Sequence, residues 1–182
     1  MERWIITEIN GKIASISKDY GFFAAYAAKI AAQDPSLTET VSTRKISREQ
    51  LIELSRTIQW EDLGLIGTPF QMQCWETLFR VTHTPGQAPK LLSYTEFAAL
   101  CGSPTAVRAA AHAIAINPVT FVIPCHLVVP KESIDKSGEI RLQAQTTTLF
   151  KGADLYLLDT IDVGEYAWGS DLKREFIKAS LR

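Results

Sequence analysis

The sequence predicts a small α/β module followed by a helical, helix-turn-helix-like domain, and three observations carry that expectation. Near the start, Asn10-Gly11 separates two β-rich runs, the pair best suited to the φ > 0 positions of a two-residue hairpin turn. Capping boxes at Ser47-x-x-Gln50, Thr68-x-x-Gln71 and Ser93-x-x-Glu96 each open an apolar-periodic stretch as a helix start does. Finally, Gly102 separates the helix that begins after Ser93 from a further helical stretch, the order helix, glycine turn, helix.

Taken in order, Trp4–Ile9 and Lys12–Ile16 read as the two arms of a β-hairpin, and the Ala-rich stretch 22–32 as a helix packed on it, stopped by Asp34-Pro35-Ser36. A polar, β-branched stretch from Leu37 to Lys45 leads to the helix capped by Ser47, which runs to about Ile58. These elements make a first module of residues 1–62, and residues 63–182 form the second. There, Thr68 caps a helix with Pro69 at its first position, where the missing N–H costs nothing. That helix runs to about Arg80, and the turn-rich 83–89 leads to the one capped by Ser93. Ser103-Pro104 is expected to cap a helix from Thr105 to about Ile116, ended by Asn117-Pro118. Val119–Ile123 is a short apolar run of the buried-strand kind. The stretch from Pro130 to about 165 carries no clear pattern, and Ser170 opens a terminal basic helix.

At 182 residues, with 46% hydrophobic and 21% charged, the chain has the balance of a packed globular protein. No apolar run reaches the roughly 18–20 residues of a membrane span, and the first residues lack a secretory pattern, so a cytoplasmic protein is expected. The three cysteines, Cys74, Cys101 and Cys125, show no CxxC spacing, which argues for reduced thiols and against a disulfide framework or a zinc site. His83 and His112 have no partner at metal-ligand spacing. A net charge of −1 excludes a generally basic, phosphate-binding surface, so any nucleic-acid contact must come from local placement.

Chemistry concentrates at Pro124-Cys125-His126, at the end of the apolar run. A thiolate is the reactive form of cysteine, and an adjacent imidazole can draw off its proton directly or through water. Taken alone, the tripeptide is equally the mark of a buried structural cysteine. Read alone, Tyr94 is a core residue, Arg108 a solvated helix charge and Asn117 a helix cap.

Together, however, the segments Gly67–Gln73 with Trp75, Ser93-Tyr94, Pro104–Ala109, Asn117-Pro118, Ile123–His126 and Tyr166–Gly169 resemble the O6-alkylguanine-DNA alkyltransferase family, particularly its bacterial adaptive-response type. The resemblance implies a winged helix-turn-helix-like DNA-binding and active-site domain, a double-stranded DNA partner containing O6-alkylguanine, a monomer and no cofactor or metal. It implies that Thr105, Ala106 and Arg108 contact DNA through the minor groove and that Arg108 fills the place of a flipped base. Tyr94 would assist the flip and favour guanine as leaving group. Cys125 would take the alkyl group once and irreversibly, with His126 acting through water to keep the sulfur ionised. The base would rest on backbone groups near Val128, and Asn117 would brace the turn.

Two positions and one interval depart from that pattern. Leu127 stands where the family has an arginine, Ser180 where its terminal helix has a glutamate beside the histidine, and the interval from Cys125 to Tyr166 is longer than usual. An imidazole without a carboxylate is a weaker proton relay, so a less ionised Cys125 is expected unless Glu165 or Glu175 substitutes. Competing readings are a non-catalytic alkylguanine-binding damage sensor, a cysteine hydrolase using Cys125 and His126, and a helix-turn-helix regulator. Adjacent residues of a strand point to opposite faces, against the hydrolase. A recognition helix with Arg108 as its one charge disfavours the regulator.

Overall fold

A computed structural model describes residues 3–18, 26, 28, 32, 40–87, 89–134, 158–159 and 161–181. The helix expected at 22–32 lies largely outside the described residues, with Tyr26, Ala28 and Ala32 helical. Most of the long interval between Cys125 and Tyr166 lies outside them too.

Strands β1 (Arg3–Ile9) and β2 (Lys12–Ser17) form the expected hairpin. Asn10 (φ 51°) and Gly11 (φ 77°) both take the left-handed conformation that a turn matching the strand twist requires. Strand β3 (Val41–Ser47) pairs antiparallel with the other edge of β1, giving the order β2-β1-β3. Helix α1 (Arg48–Thr57) follows from Ser47 with both capping-box bonds made.

Helix α2 (Pro69–His83) starts from Thr68 and helix α3 (Tyr94–Leu100) from Ser93, each with a complete capping box. Helix α4 is Val107–Ala115, later than the sequence suggests, and Ser103 does not cap it. Residues Ser103–Ala106 instead form a turn in which the Ala106 N–H donates to the Ser103 carbonyl (2.9 Å), so the first helical bond runs from Ala110 to Ala106. Gly102 takes φ +70° at the bend between α3 and α4, where a side chain would be strained. Trp75 of α2 is buried and donates its indole N–H to the Ala113 carbonyl of α4 (2.8 Å), tying the helix-turn-helix to its supporting helix.

The expected strand at Val119–Ile123 is a tight turn: Phe121 has φ 71° and the Ile123 N–H donates back to the Val119 carbonyl. A left-handed residue reverses the chain, and straight strand geometry is lost. This turn docks on the sheet edge, with the Ile16 N–H bonding the Pro118 carbonyl (2.8 Å) and Thr120 N–H the Ile16 carbonyl. Strands β4 (Leu92–Ser93) and β5 (Val128–Val129) pair in parallel. Helix α5 (Ser170–Ser180) closes the fold, its Phe176 lying 5.6 Å from Trp4 of β1. One core therefore runs from Trp4, Ile6 and Ile16 through Trp75, Leu78 and Phe97 to Ile123 and Phe176.

Candidate active site

Cys125 opens a 3-10 turn, Cys125–Leu127, capped by the Val128 N–H bonding back to the Cys125 carbonyl. The pair Cys125-His126 sits on a 3-10 turn and not a strand, so its side chains do not alternate between opposite faces as strand residues would. The thiol is half-buried in a cleft, and the imidazole is fully buried behind it. Leu127 is fully buried as well.

The cleft has a volume of about 980 Å³ and is walled by Cys125, Tyr94, Asn117, Tyr166 and Lys173, with His112 and Ala115 of α4 along one side. Asn117 donates its amide to the Ile123 carbonyl (2.9 Å) and to Cys125 Sγ (3.4 Å), and accepts from the Val119 N–H (3.0 Å). The Tyr166 hydroxyl pairs with Thr120 Oγ1 (2.8 Å). Tyr94, first residue of α3, is half-buried, and burial, then the nearby Cys125, Glu165 and Asp162 charges, raise its pKa; it stays a protonated phenol able to donate. Val128 is buried in β5, and its carbonyl accepts from Lys173 Nζ (2.9 Å).

Thr105 and Arg108 are exposed and Ala106 is the half-buried residue before α4. The residues expected from the resemblance to contact DNA thus gather at the start of α4, while the later part of the same helix lines the cleft.

His126 Nε2 pairs with Ser180 Oγ (2.7 Å), and Nδ1, buried, has no partner among the described residues. The ring lies parallel to Phe121 (5.0 Å) and against Phe176 (5.7 Å). Among the described residues no carboxylate replaces Ser180: Glu175 is paired with Arg48 (2.7 Å), and Glu165 is exposed. Burial, reinforced by the Lys173 charge, pushes the imidazole down to about 3, because the charged form loses its hydration. Burial also pushes the Cys125 thiol up, while the Asn117 amide and Lys173 pull the other way.

That imidazole has a measurable consequence. Its folded pKa lies below its ordinary value of 6.5, so the unfolded chain binds the extra proton and stability is lost as pH falls from 6.5 toward 3. Urea unfolding at pH 7 and pH 5 should differ by about 2 kcal/mol, and His126→Gln should remove most of that difference. An equal loss in the variant would overturn the assignment.

Sequence reasoning gave no role to Lys173, Thr120 or His112. Lys173 had a signal: it falls with Leu172, Phe176 and Ile177 on the buried stripe of α5, where a charge is out of place. Thr120 had none, because its contact with Tyr166 crosses 46 residues.

The helix-turn-helix thus brings its second helix and a half-buried thiol to one cleft, a helical module with a candidate reactive centre. Residues 69–149 match the family described as 6-O-methylguanine DNA methyltransferase, DNA binding domain. The chain is 40% identical over 67 residues to the constitutive methylated-DNA–protein-cysteine methyltransferase of Bacillus subtilis, a match covering 37% of this chain and 38% of that one. It is 42% identical over 65 residues to the methylated-DNA–protein-cysteine methyltransferase of Kluyveromyces lactis, covering 36% and 32%. The chain spans less than half the length of these curated relatives. Its fold is that of O6-methylguanine-DNA methyltransferase from Pyrococcus kodakaraensis (TM-score 0.54, 16% identity, 98% of this chain and 91% of that one). It also matches a variant of the M. tuberculosis O6-methylguanine methyltransferase (TM-score 0.55, 17% identity, 98% and 86%). Among the described residues no helix is long and apolar enough to cross a membrane.

Proposed function

We propose that this chain repairs double-stranded DNA by direct reversal, moving the alkyl group of an O6-alkylguanine onto Cys125 Sγ. The observation that carries the reading is the shared cleft: the one half-buried thiol lies in a hollow whose side is the second helix of the helix-turn-helix. A base turned out of a duplex held on Thr105, Ala106 and Arg108 would have that hollow as its nearest refuge. The displacement forms the S–C bond, breaks the C–O6 bond and moves the thiol proton to the guanine, so it needs no cofactor. Tyr94, kept protonated, is the donor for the leaving guanine, and Asn117 holds the turn and one hydrogen bond to the sulfur. A thioether has no route back, so each chain reacts once, as a cytoplasmic monomer whose reactive part is residues 63–182. The first module, 1–62, braces the active-site turn through Ile16.

A raised thiol pKa and an imidazole without a carboxylate favour one alternative, a lesion-binding sensor that does not transfer. Intact-mass measurement after incubation with a duplex carrying one O6-methylguanine decides between them. One added methyl that maps to Cys125 and is absent from Cys125→Ala is the expected result. Lesion binding without an adduct would establish the sensor.

A further inference from the structure

Lys173 is 1% exposed, on the buried face of α5. A buried ammonium is costly unless its charge is answered. Here Nζ donates to two carbonyls, Val128 O (2.9 Å) and Glu165 O (3.4 Å), and among the described residues it has no carboxylate partner. An ammonium has three donors, so one N–H is left over, in a cleft wall shared with Cys125. Its principal acceptor belongs to Val128, whose own N–H holds the Cys125 carbonyl. The cation is therefore built onto the turn that carries the sulfur.

We infer that Lys173 is the counter-charge of the Cys125 sulfur, holding the negative charge during attack in place of the His126–Ser180 pair. The inference rests on the alkyl-transfer reading for its purpose, and on the cleft alone for its geometry. Ser180 offers a neutral hydroxyl to His126, and the stacked ring has no partner at Nδ1 among the described residues, so neither presents a positive charge. Burial lowers Lys173 to about 8, opposed by the charges of Cys125 and Asp162; at neutral pH it is protonated. The groups facing it are Cys125 and His126 from the turn, Tyr94 from α3, and Asp162, Glu165 and Tyr166 from the segment before α5. During transfer the S–C bond forms, the C–O6 bond breaks, the sulfur's proton ends on the guanine ring, and Lys173 keeps its own protons throughout. Lys173 acts through the sulfur and is a positioning residue.

The test uses an electrophile without guanine. Cys125 carboxamidomethylation by iodoacetamide, followed by peptide mass mapping across pH, reports the thiolate directly. Lys173→Met should move the midpoint up by at least about one pH unit, a roughly tenfold slower reaction at pH 7. Lys173→Arg should return most of the rate, and Ser180→Ala should shift the midpoint much less. Lys178→Gln removes an exposed charge of the same helix that is paired with Asp159 and should leave the profile unchanged. Should Lys173→Met fail to fold, Lys173→Gln retains a donor for the Val128 carbonyl and gives the same reading. An unchanged midpoint in the folded neutral variant, or an equal shift in Ser180→Ala, would overturn the inference. Methyl transfer from an O6-methylguanine duplex is measured beside it: no transfer with a Lys173-dependent thiol defeats the repair reading and leaves the counter-charge standing.

Discussion

Asn117→Ala is expected to destabilise the protein by about 2–5 kcal/mol and to slow the reaction of Cys125 at least tenfold at pH 7. The side chain is 7% exposed and makes three bonds, two that shape the backbone and one to the sulfur. Truncation leaves the Ile123 carbonyl and the Val119 N–H without their side-chain partner in a region closed to water, at about 1–3 kcal/mol for each unsatisfied group. The same cut removes the donor that opposes the effect of burial on the thiol, so the thiolate fraction falls along with stability. Urea unfolding and the pH profile of iodoacetamide reaction separate the two effects. Asn117→Asp sharpens the separation, since it keeps an acceptor for the Val119 N–H but faces both the Ile123 carbonyl and the sulfur with negative charge. It should recover part of the stability and none of the reactivity. A variant that lost stability but reacted normally would reduce Asn117 to a brace.

The elements that sequence alone made legible are those written in local chemistry. Asn10-Gly11 encodes its turn because only residues tolerant of φ > 0 fit there. Ser47, Thr68 and Ser93 encode helix starts because cap and third residue exchange bonds within a single turn. Ser103-Pro104 carried a similar local signal and misled, because the Ser103 carbonyl, not its side chain, closes the turn before α4. The run Val119–Ile123 misled for a different reason: hydrophobicity reports burial, and a buried turn is as apolar as a buried strand. At the site, Cys125, Tyr94 and Asn117 were legible through their family order, and the structure brings all three to one cleft. Lys173 and Thr120 were not, since what they do depends on contacts 45 and 46 residues away in the chain.

Phe121 gives the second large expected effect. Its ring is 4% exposed, parallel to the His126 imidazole and 4.5 Å from Phe176, and Phe121→Ala should cost about 3–5 kcal/mol in lost burial and cavity formation. Yet this residue sits at φ 71°, a conformation that disfavours any side chain by roughly 1–2 kcal/mol. Phe121→Gly removes the same ring and relieves that strain, so it should be more stable than Phe121→Ala by about 1 kcal/mol, the reverse of the usual order for these two residues. Both variants open the imidazole to water, which weakens the burial that holds it near 3 and shrinks the acid-side loss of stability between pH 7 and pH 5. Urea midpoints for the two variants at both pH values check the argument. Alanine proving more stable than glycine would mean that the left-handed turn is not what shapes the approach to Cys125. A full acid-side loss in both variants would mean that Phe121 is not what keeps His126 dry.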